Sequence, residues 1–227
     1  TDHTDADQSM PNGQRAWRMT LWYTNIACLK TKKEYLASRV ATAQIKPHII
    51  MATESKLDPS TPDNNPEISI DGYTIERRDR NANGGGCILY YRNGIALHRR
   101  QDLEPAEHEI MIFTVKLDTG NLLMSLLYRP PGNKNCAPIN LYTENLDHLR
   151  SKTRAIGTIL AGDYNAPGRK TLTLCTTHGL SQLVKGPTHK KGNTLDLIMC
   201  DVPNLCSEVE IEAQVGNSDH YLLEQSS

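Results

Sequence analysis

Met19 to Thr53, reading MTLWYTNIACLKTKKEYLASRVATAQIKPHIIMAT, is the stretch on which the fold class turns. Met19-Thr20-Leu21-Trp22-Tyr23-Thr24 suits a buried strand. Lys33 to Gln44 places Leu36 and Val40 four apart, on one face of a helix, and Pro47 ends that helix. His48-Ile49-Ile50-Met51-Ala52-Thr53 then reads as a second strand. A helix between two buried strands is the βαβ signature of an α/β protein.

Outward from that unit the middle of the chain is mostly β. Tyr73–Arg77 and Gly86–Arg92 flank a polar, glycine-rich turn at 81–85, and Ile110–Leu117 and Leu122–Tyr128 flank Asp118-Thr119-Gly120-Asn121, a hairpin signal. A helix with Leu146 and Leu149 as buried positions is expected over Ile139–Ala155, then a strand at Thr158–Ala161, a short helix near Leu172–Thr177 and a strand at Leu195–Met199. A β-branched alternation around Val209 to Val215 reads as the last strand. No repeat or low-complexity tract interrupts this order, so one α/β domain is expected over residues 19–224. Residues 1–18 are polar and aperiodic, and read as a disordered leader or an appended tail.

The 227 residues carry a formal net charge of −1, which argues against indiscriminate nucleic-acid coating but leaves local basic patches open. Six cysteines (Cys28, Cys87, Cys136, Cys175, Cys200, Cys206) include no Cys-x-x-Cys pair, so structural zinc is not expected. Cys28 and Cys87 lie in apolar contexts that suit reduced, buried thiols. No signal peptide and no apolar run long enough for a bilayer are visible, and the expectation is a soluble, intracellular, reduced chain without a membrane partner.

Polar residues recur at one kind of place, the end of a strand-like run. Asn25 follows Leu21–Thr24, Glu54 follows Ile49–Thr53, Tyr128-Arg129-Pro130-Pro131 follows Leu122–Leu127, and Asp163 and Asn165 follow Thr158–Ala161. Asp219 and His220, in Ser218-Asp219-His220, are expected after the final strand. Asp196 differs, because it lies inside the apolar run Thr194–Met199, where a carboxylate needs a partner such as a histidine. Each position has an ordinary explanation: Asn25 as a helix cap, Glu54 as a solvated loop carboxylate, Asp163-Tyr164-Asn165 as an Asx turn before Pro167, and Asp219-His220 as a surface pair. Those explanations do not account for all of them falling at strand ends of one domain.

Metal-assisted phosphodiester hydrolysis wants such a set. Mg²⁺ takes oxygen ligands, typically one or two carboxylates with water and substrate phosphate, and Glu54 is the best first ligand, with Asp219 or Asn25 completing or orienting the shell. Asp163 or His220 suits the activation of water, Asp196 would hold the imidazole's tautomer, and Asn165 and Tyr128 could donate to nucleophile or phosphate. Ser218 and His220 make a poor serine-hydrolase pair, since there is no Gly-x-Ser-x-Gly elbow. Gly84-Gly85-Gly86 is no phosphate loop, because no Gly-Lys-Ser/Thr follows it.

Asn25, Thr53-Glu54-Ser55, Tyr128-Arg129-Pro130, Gly162-Asp163-Tyr164-Asn165, Leu195-Asp196-Leu197-Ile198 and Ser218-Asp219-His220 stand in an order that resembles the exonuclease–endonuclease–phosphatase superfamily. Gly84–Tyr90, Tyr-Arg-Pro-Pro and Thr194–Ile198 make the chain look more narrowly like the apurinic/apyrimidinic-endonuclease-like domain of non-long-terminal-repeat retrotransposons. The resemblance covers about Met19 to Leu223. It implies a four-layered α/β sandwich, two packed, mainly antiparallel β-sheets flanked by helices. It also implies a Mg²⁺-dependent endonuclease, with Mn²⁺ able to substitute, that nicks one strand of double-stranded DNA and leaves a 3′-hydroxyl to prime reverse transcription. Under it, Glu54 is the metal ligand with Asn25 beside it and Asp219 near the metal. Asp163 positions or deprotonates water or protonates the leaving group, Asn165 and His220 contact the phosphate, Asp196 orients His220, and Tyr128 lies near the phosphate. A reverse transcriptase domain of the same polyprotein would be the partner, and the nucleus the place of action.

The candidate DNA contacts are Arg129, Thr188, Lys190, Lys191 and Thr194, the last four on a basic hairpin before the Asp196 strand. Arg77, Arg78, Arg80, Arg99 and Arg100 are further candidates. The hairpin tip has no aromatic to wedge between bases, so strong sequence specificity is not evident from it. The alternatives are an abasic-site repair enzyme, another phosphoesterase of the same fold, and a non-catalytic nucleic-acid-binding module.

Overall fold

The computed structural model describes residues 19–132, 136–166, 168–202 and 209–225. The expected leader (1–18) and Cys206 lie outside the described residues. The expected βαβ unit is present as β1 (Leu21–Asn25), α1 (Leu29–Thr42) and β2 (Ile49–Thr53), with β1 and β2 parallel. Helix α1 begins four residues earlier than the apolar spacing indicated. The polar run from Lys30 to Lys33 masked its first turn, where Leu29 and Lys32 are buried and Lys32 Nζ folds back to donate to the Ala27 carbonyl at 2.7 Å.

Further along are β3 (Tyr73–Arg78), β4 (Cys87–Arg92), β5 (Leu97–Arg99), β6 (Glu109–Leu117), β7 (Gly120–Tyr128), α2 (Ala137–Thr153), β8 (Ala155–Asp163), α3 (Gly168–His178), β9 (Ser181–Gln182), β10 (Asp196–Cys200), β11 (Val209–Glu212) and β12 (Leu222–Gln225). They form two six-stranded sheets, ordered β11-β12-β1-β2-β4-β3 and β5-β6-β7-β8-β10-β9. Only β1/β2 and β7/β8 pair in parallel, so both sheets are mainly antiparallel, as expected.

Strand periodicity builds the layers. In β6, Met111, Phe113 and Val115 point into the core between the sheets, where they meet Tyr23, Met51 and Leu89 of the first sheet. Ile110 and Ile112 point the other way and pack under α2 and α3 with Tyr142, Leu146 and Leu174. On the outer face of the first sheet, Trp22, Ile50 and Ile88 meet Leu29, Leu36 and Val40 of α1. Sheets covered on both faces need apolar residues at successive positions, which is why these strands read as continuous hydrophobic runs.

One expectation about topology is overturned. Ser218-Asp219-His220 does not end the last strand; it precedes β12, which lies between β11 and β1. Four residues ending Glu224-Gln225 carry almost no periodic signal, and tertiary pairing on both edges makes them a strand. Asp196 lies in β10 as expected, as its first residue. Cys87 is buried and free, Cys28 is free but only half-buried, and Cys200 takes part in a disulfide, against the expectation of a fully reduced chain. Among the described residues, no helix is long and apolar enough to cross a membrane.

Candidate active site

At one end of the inter-sheet core the inward-facing positions turn from apolar to polar. In β1 the inward series Leu21, Tyr23 ends in Asn25; in β7, Met124 and Leu126 lead to Tyr128; in β8, Ile159 and Ala161 lead to Asp163; and β10 opens with Asp196 before Ile198 and Cys200. Strand direction places these residues together. β1 and β2 are parallel, as are β7 and β8, while β12 and β10 run antiparallel to β1 and β8. The ends of the first four strands and the starts of the other two therefore share one edge. Gly162 is part of this construction, because a Cβ there would stand 2.1 Å from the Leu127 carbonyl oxygen of the paired strand.

Asp163 and Asp196 face each other as direct partners in the β8/β10 ladder, and both are buried. Asp196 has both oxygens occupied: Tyr23 Oη donates to Oδ1 at 3.0 Å, and His220 Nδ1 lies 2.6 Å from Oδ2. Its own backbone N–H and that of Leu195 donate to Thr188 Oγ1 at 3.1 and 3.0 Å. Ser218 holds the far side, donating to the Asn25 carbonyl at 2.7 Å and accepting the His220 N–H at 3.2 Å. Burial by itself lowers the His220 pKa, but the Asp196 hydrogen bond and the charges of Asp196, Asp163 and Glu54 outweigh it and hold the imidazole above its ordinary value.

Across the mouth, Asn25 Nδ2 donates to Asp163 Oδ2 at 3.0 Å and to Glu54 Oε1 at 3.3 Å, while Asn25 Oδ1 accepts the Ala27 N–H at 3.1 Å. Tyr128 Oη also donates to Glu54 Oε1, at 2.9 Å, which leaves Glu54 Oε2 with Lys56 Nζ at 3.9 Å. Glu54 sits in the left-handed region (φ 53°), a conformation uncommon for a residue with a side chain. The carbonyls of Glu54 and Ser55 accept the N–H groups of Cys28 and Leu29 at 2.8 and 3.0 Å, and the N–H groups of Ser55 and Lys56 donate to Gly86 and Gly85. Gly86 (φ 88°) is needed at that crossing, since a Cβ would come 2.4 Å from Ser55 Oγ.

Asp163 Oδ1 is buried and has no hydrogen-bond partner among the described residues. Burial, followed by the facing Asp196 charge, pushes its carboxyl up to about 8, against the opposing pull of His220 and Asn25. A buried carboxylate oxygen left open beside a second carboxylate suits a cation or a water. The two carboxylates that share Asn25 Nδ2, Glu54 and Asp163, offer oxygen donors that fit a hard divalent cation such as Mg²⁺, while the Asn25 amide oxygen is turned to the Ala27 N–H. Asp163, Asp196 and His220 also bring ligand atoms within 4.8 Å of one another. We read Asp196 and His220 as a hydrogen-bonded pair with Asp163 beside it, because both Asp196 oxygens already accept hydrogen bonds, from Tyr23 and His220.

The structure thus gathers Asn25, Glu54, Tyr128, Asp163, Asp196 and His220 at one mouth. Asn165 lies close by in a left-handed conformation, but its Nδ2 donates to the Arg129 carbonyl at 2.9 Å. Asp219 stands apart from the Glu54–Asn25 group: it is exposed, and Lys190 Nζ is 3.2 Å away. Arg129 is buried and donates to the backbone carbonyls of Tyr164 and Asn165, so it braces the Asp163 turn. Thr188 is buried beneath Asp196, and Thr194 Oγ1 donates to the Gly186 carbonyl at 2.6 Å. Lys190 and Lys191 are exposed. The other arginine candidates have internal partners: Arg77 with Asp63, Arg78 with three backbone carbonyls, Arg80 with Glu109, Arg99 with Glu104 and Arg100 with Asp102. From sequence, Tyr23, Thr53 and His189 carry no site role, and Ser218 enters only as a rejected nucleophile. Tyr23 had a readable signal, a polar tip two residues before Asn25 on the same strand face.

No family model and no curated protein matches this chain at the level of sequence. Solved structures do match its fold. The endonuclease domain of TRAS1, a telomere-specific non-LTR retrotransposon, superposes with a TM-score of 0.70 at 17% identity, over 92% of this chain and 97% of that one. The AP endonuclease LMAP from Leishmania major gives 0.68 at 14% identity, over 94% and 89%. The 3′ phosphatase NExo from Neisseria, solved with a product DNA hairpin, gives 0.66 at 15% identity, over 91% and 98%. The chain has the two-sheet α/β sandwich of these exonuclease–endonuclease–phosphatase structures.

Proposed function

We propose that this chain is a divalent-metal-dependent DNA endonuclease that nicks one strand of a duplex and leaves a 3′-hydroxyl. The observation that carries this reading is the orphaned Asp163 Oδ1, set between the Asn25-held Glu54 and the Asp196–His220 pair. Glu54, with Asn25 and the Asp163 carboxylate nearby, would hold Mg²⁺ or Mn²⁺, which when bound supplies charge neutralisation at the phosphoryl oxygen and the leaving alkoxide. His220 has its Nδ1 engaged by Asp196, so its Nε2 is the atom left for a phosphate oxygen. Asp163 Oδ1 holds or moves the proton, either taken from the attacking water or given to the departing 3′-oxygen as the P–O3′ bond breaks. Tyr128 Oη, donating to Glu54, fixes that carboxylate and would stand near the same phosphate.

The retroelement endonuclease among the fold relatives supports the finer reading, in which the new 3′-end primes reverse transcription by a polymerase domain of the same polyprotein, acting on nuclear DNA. The AP endonuclease among them supports a second reading, incision at abasic sites by the same machinery. Incubation of supercoiled plasmid, an abasic duplex and an inositol phosphate with the protein and Mg²⁺ separates them. Conversion of intact plasmid to open circles, lost on chelation, is expected, and its absence with Mg²⁺ overturns the nicking reading. Asp163→Ala and His220→Ala are expected to abolish conversion while DNA binding survives.

A further inference from the structure

The hairpin before β10 does more than carry lysines. Its residue His189 forms an antiparallel bridge with His220, flanked by hydrogen bonds from the Lys190 N–H to the Asp219 carbonyl at 2.9 Å and from the Tyr221 N–H to the Thr188 carbonyl at 2.8 Å. Residues directly opposite in such a bridge carry side chains on the same face. The two imidazoles meet edge to face, with centroids 4.8 Å apart and an interplanar angle of 81°.

Their tautomers are set in opposite senses. His220 Nδ1 is 2.6 Å from the Asp196 carboxylate and donates to it. His189 Nδ1 lies 3.1 Å from the Lys191 backbone nitrogen and can only accept there. A neutral imidazole with an accepting Nδ1 carries its proton on Nε2. His189 therefore offers a fixed Nε2–H donor, half-exposed, beside the ring whose Nε2 is free for a phosphate.

We propose that His189 is a second phosphate-contacting residue, whose Nε2–H donates to a non-bridging backbone oxygen next to the one that His220 contacts. The proposal rests on the phosphodiesterase reading of the His220 site. It gives the hairpin a role in seating the strand at the reacting phosphate, with Lys190 and Lys191 outside it in solvent. A neutral donor suits that role, since it orders an anion without needing to be protonated itself.

Two variants separate a ligand contact from a merely structural one. His189→Asn keeps a side-chain acceptor for the Lys191 N–H but lacks the Nε2–H, and His189→Phe keeps the ring against His220 but lacks both nitrogens. Both are expected to raise the KM for nicking by about tenfold or more, the size of a lost hydrogen bond to a charged group, with a smaller change in kcat. In ¹⁵N-histidine-labelled full chain, inorganic phosphate should move the His189 Nε2 and His220 Nε2 resonances together. Parental KM in either variant, or a His189 signal indifferent to phosphate, overturns the proposal. A chain that fails to nick DNA yet shows both resonances moving with phosphate sinks the nuclease reading and leaves the anion site standing.

Discussion

Two buried carboxylates of this molecule, Glu104 and Asp163, are treated in opposite ways. Beside β5 and β6, Glu104 is nearly buried, yet Oε1 accepts from Arg99 Nε and the Ile112 N–H at 2.9 and 3.0 Å, and Oε2 accepts from Arg99 at 2.8 Å. At the mouth of the core, Asp163 is buried against another carboxylate, and one of its oxygens has no partner. The first is satisfied, so it holds the sandwich together. The second leaves one buried carboxylate oxygen to an incoming cation, whose charge would offset the repulsion between Asp163 and Asp196.

The sharpest way to break this contrast is to exchange the outcomes. Asp163→Asn is expected to lower plasmid nicking by about 10³-fold while leaving the thermal midpoint unchanged or higher, since it removes one of two facing buried acids; gel quantification and a thermal scan check both. Glu104→Ala is expected to do the reverse. It strips Arg99 of its bidentate partner, leaving Glu76 at 3.7 Å and the Arg77 carbonyl, and should cost about 3 kcal/mol in urea unfolding, with kcat intact in the folded fraction. Asp196→Asn tests the dyad. It keeps a side chain for Tyr23 but no longer matches the His220 proton, and a loss of about 10²-fold in kcat is expected with little change in DNA affinity. Lys190→Ala should have a modest effect, weakening binding uniformly across sequences and reducing the salt slope by about one unit.

The smallest effect concerns His48, away from both carboxylates. Its Nδ1 accepts the Thr20 N–H at 3.1 Å, and burial, then the Arg92 charge, lower its pKa below the ordinary value. The unfolded chain therefore binds this proton first. Its contribution to stability is present above the ordinary histidine pKa and is lost as pH falls through that value toward the lower folded one. His48→Gln should narrow the difference between urea midpoints at pH 7.5 and pH 5.5; an unchanged difference would contradict that linkage.

The elements that could be read from sequence were those with long apolar runs, such as β6 and β7, or a strong break, such as Pro47 before β2. The site could be read in so far as its polar residues end those runs, which holds for Asn25, Glu54, Tyr128 and Asp163. What escaped depends on partners distant in the chain. β12 is four residues long and exists through pairing with β1 and β11, and His189 has meaning only through its bridge to His220. The arginines illustrate the opposite error. Arg99 and Arg78 look like nucleic-acid contacts until their carboxylate and carbonyl partners, contributed by other strands and loops, are seen.

The position of β12 also bears on how the molecule is born. During synthesis β12 leaves the ribosome about two hundred residues after β1, yet Leu21, Trp22 and Tyr23 pair with Gln225, Glu224 and Leu223. Until the ribosome has delivered that strand, β1 presents an open row of peptide groups, the kind of edge that invites foreign strands. His220 arrives just before the strand that closes this gap. One late segment therefore supplies both the histidine of the candidate site and the missing edge of the first sheet.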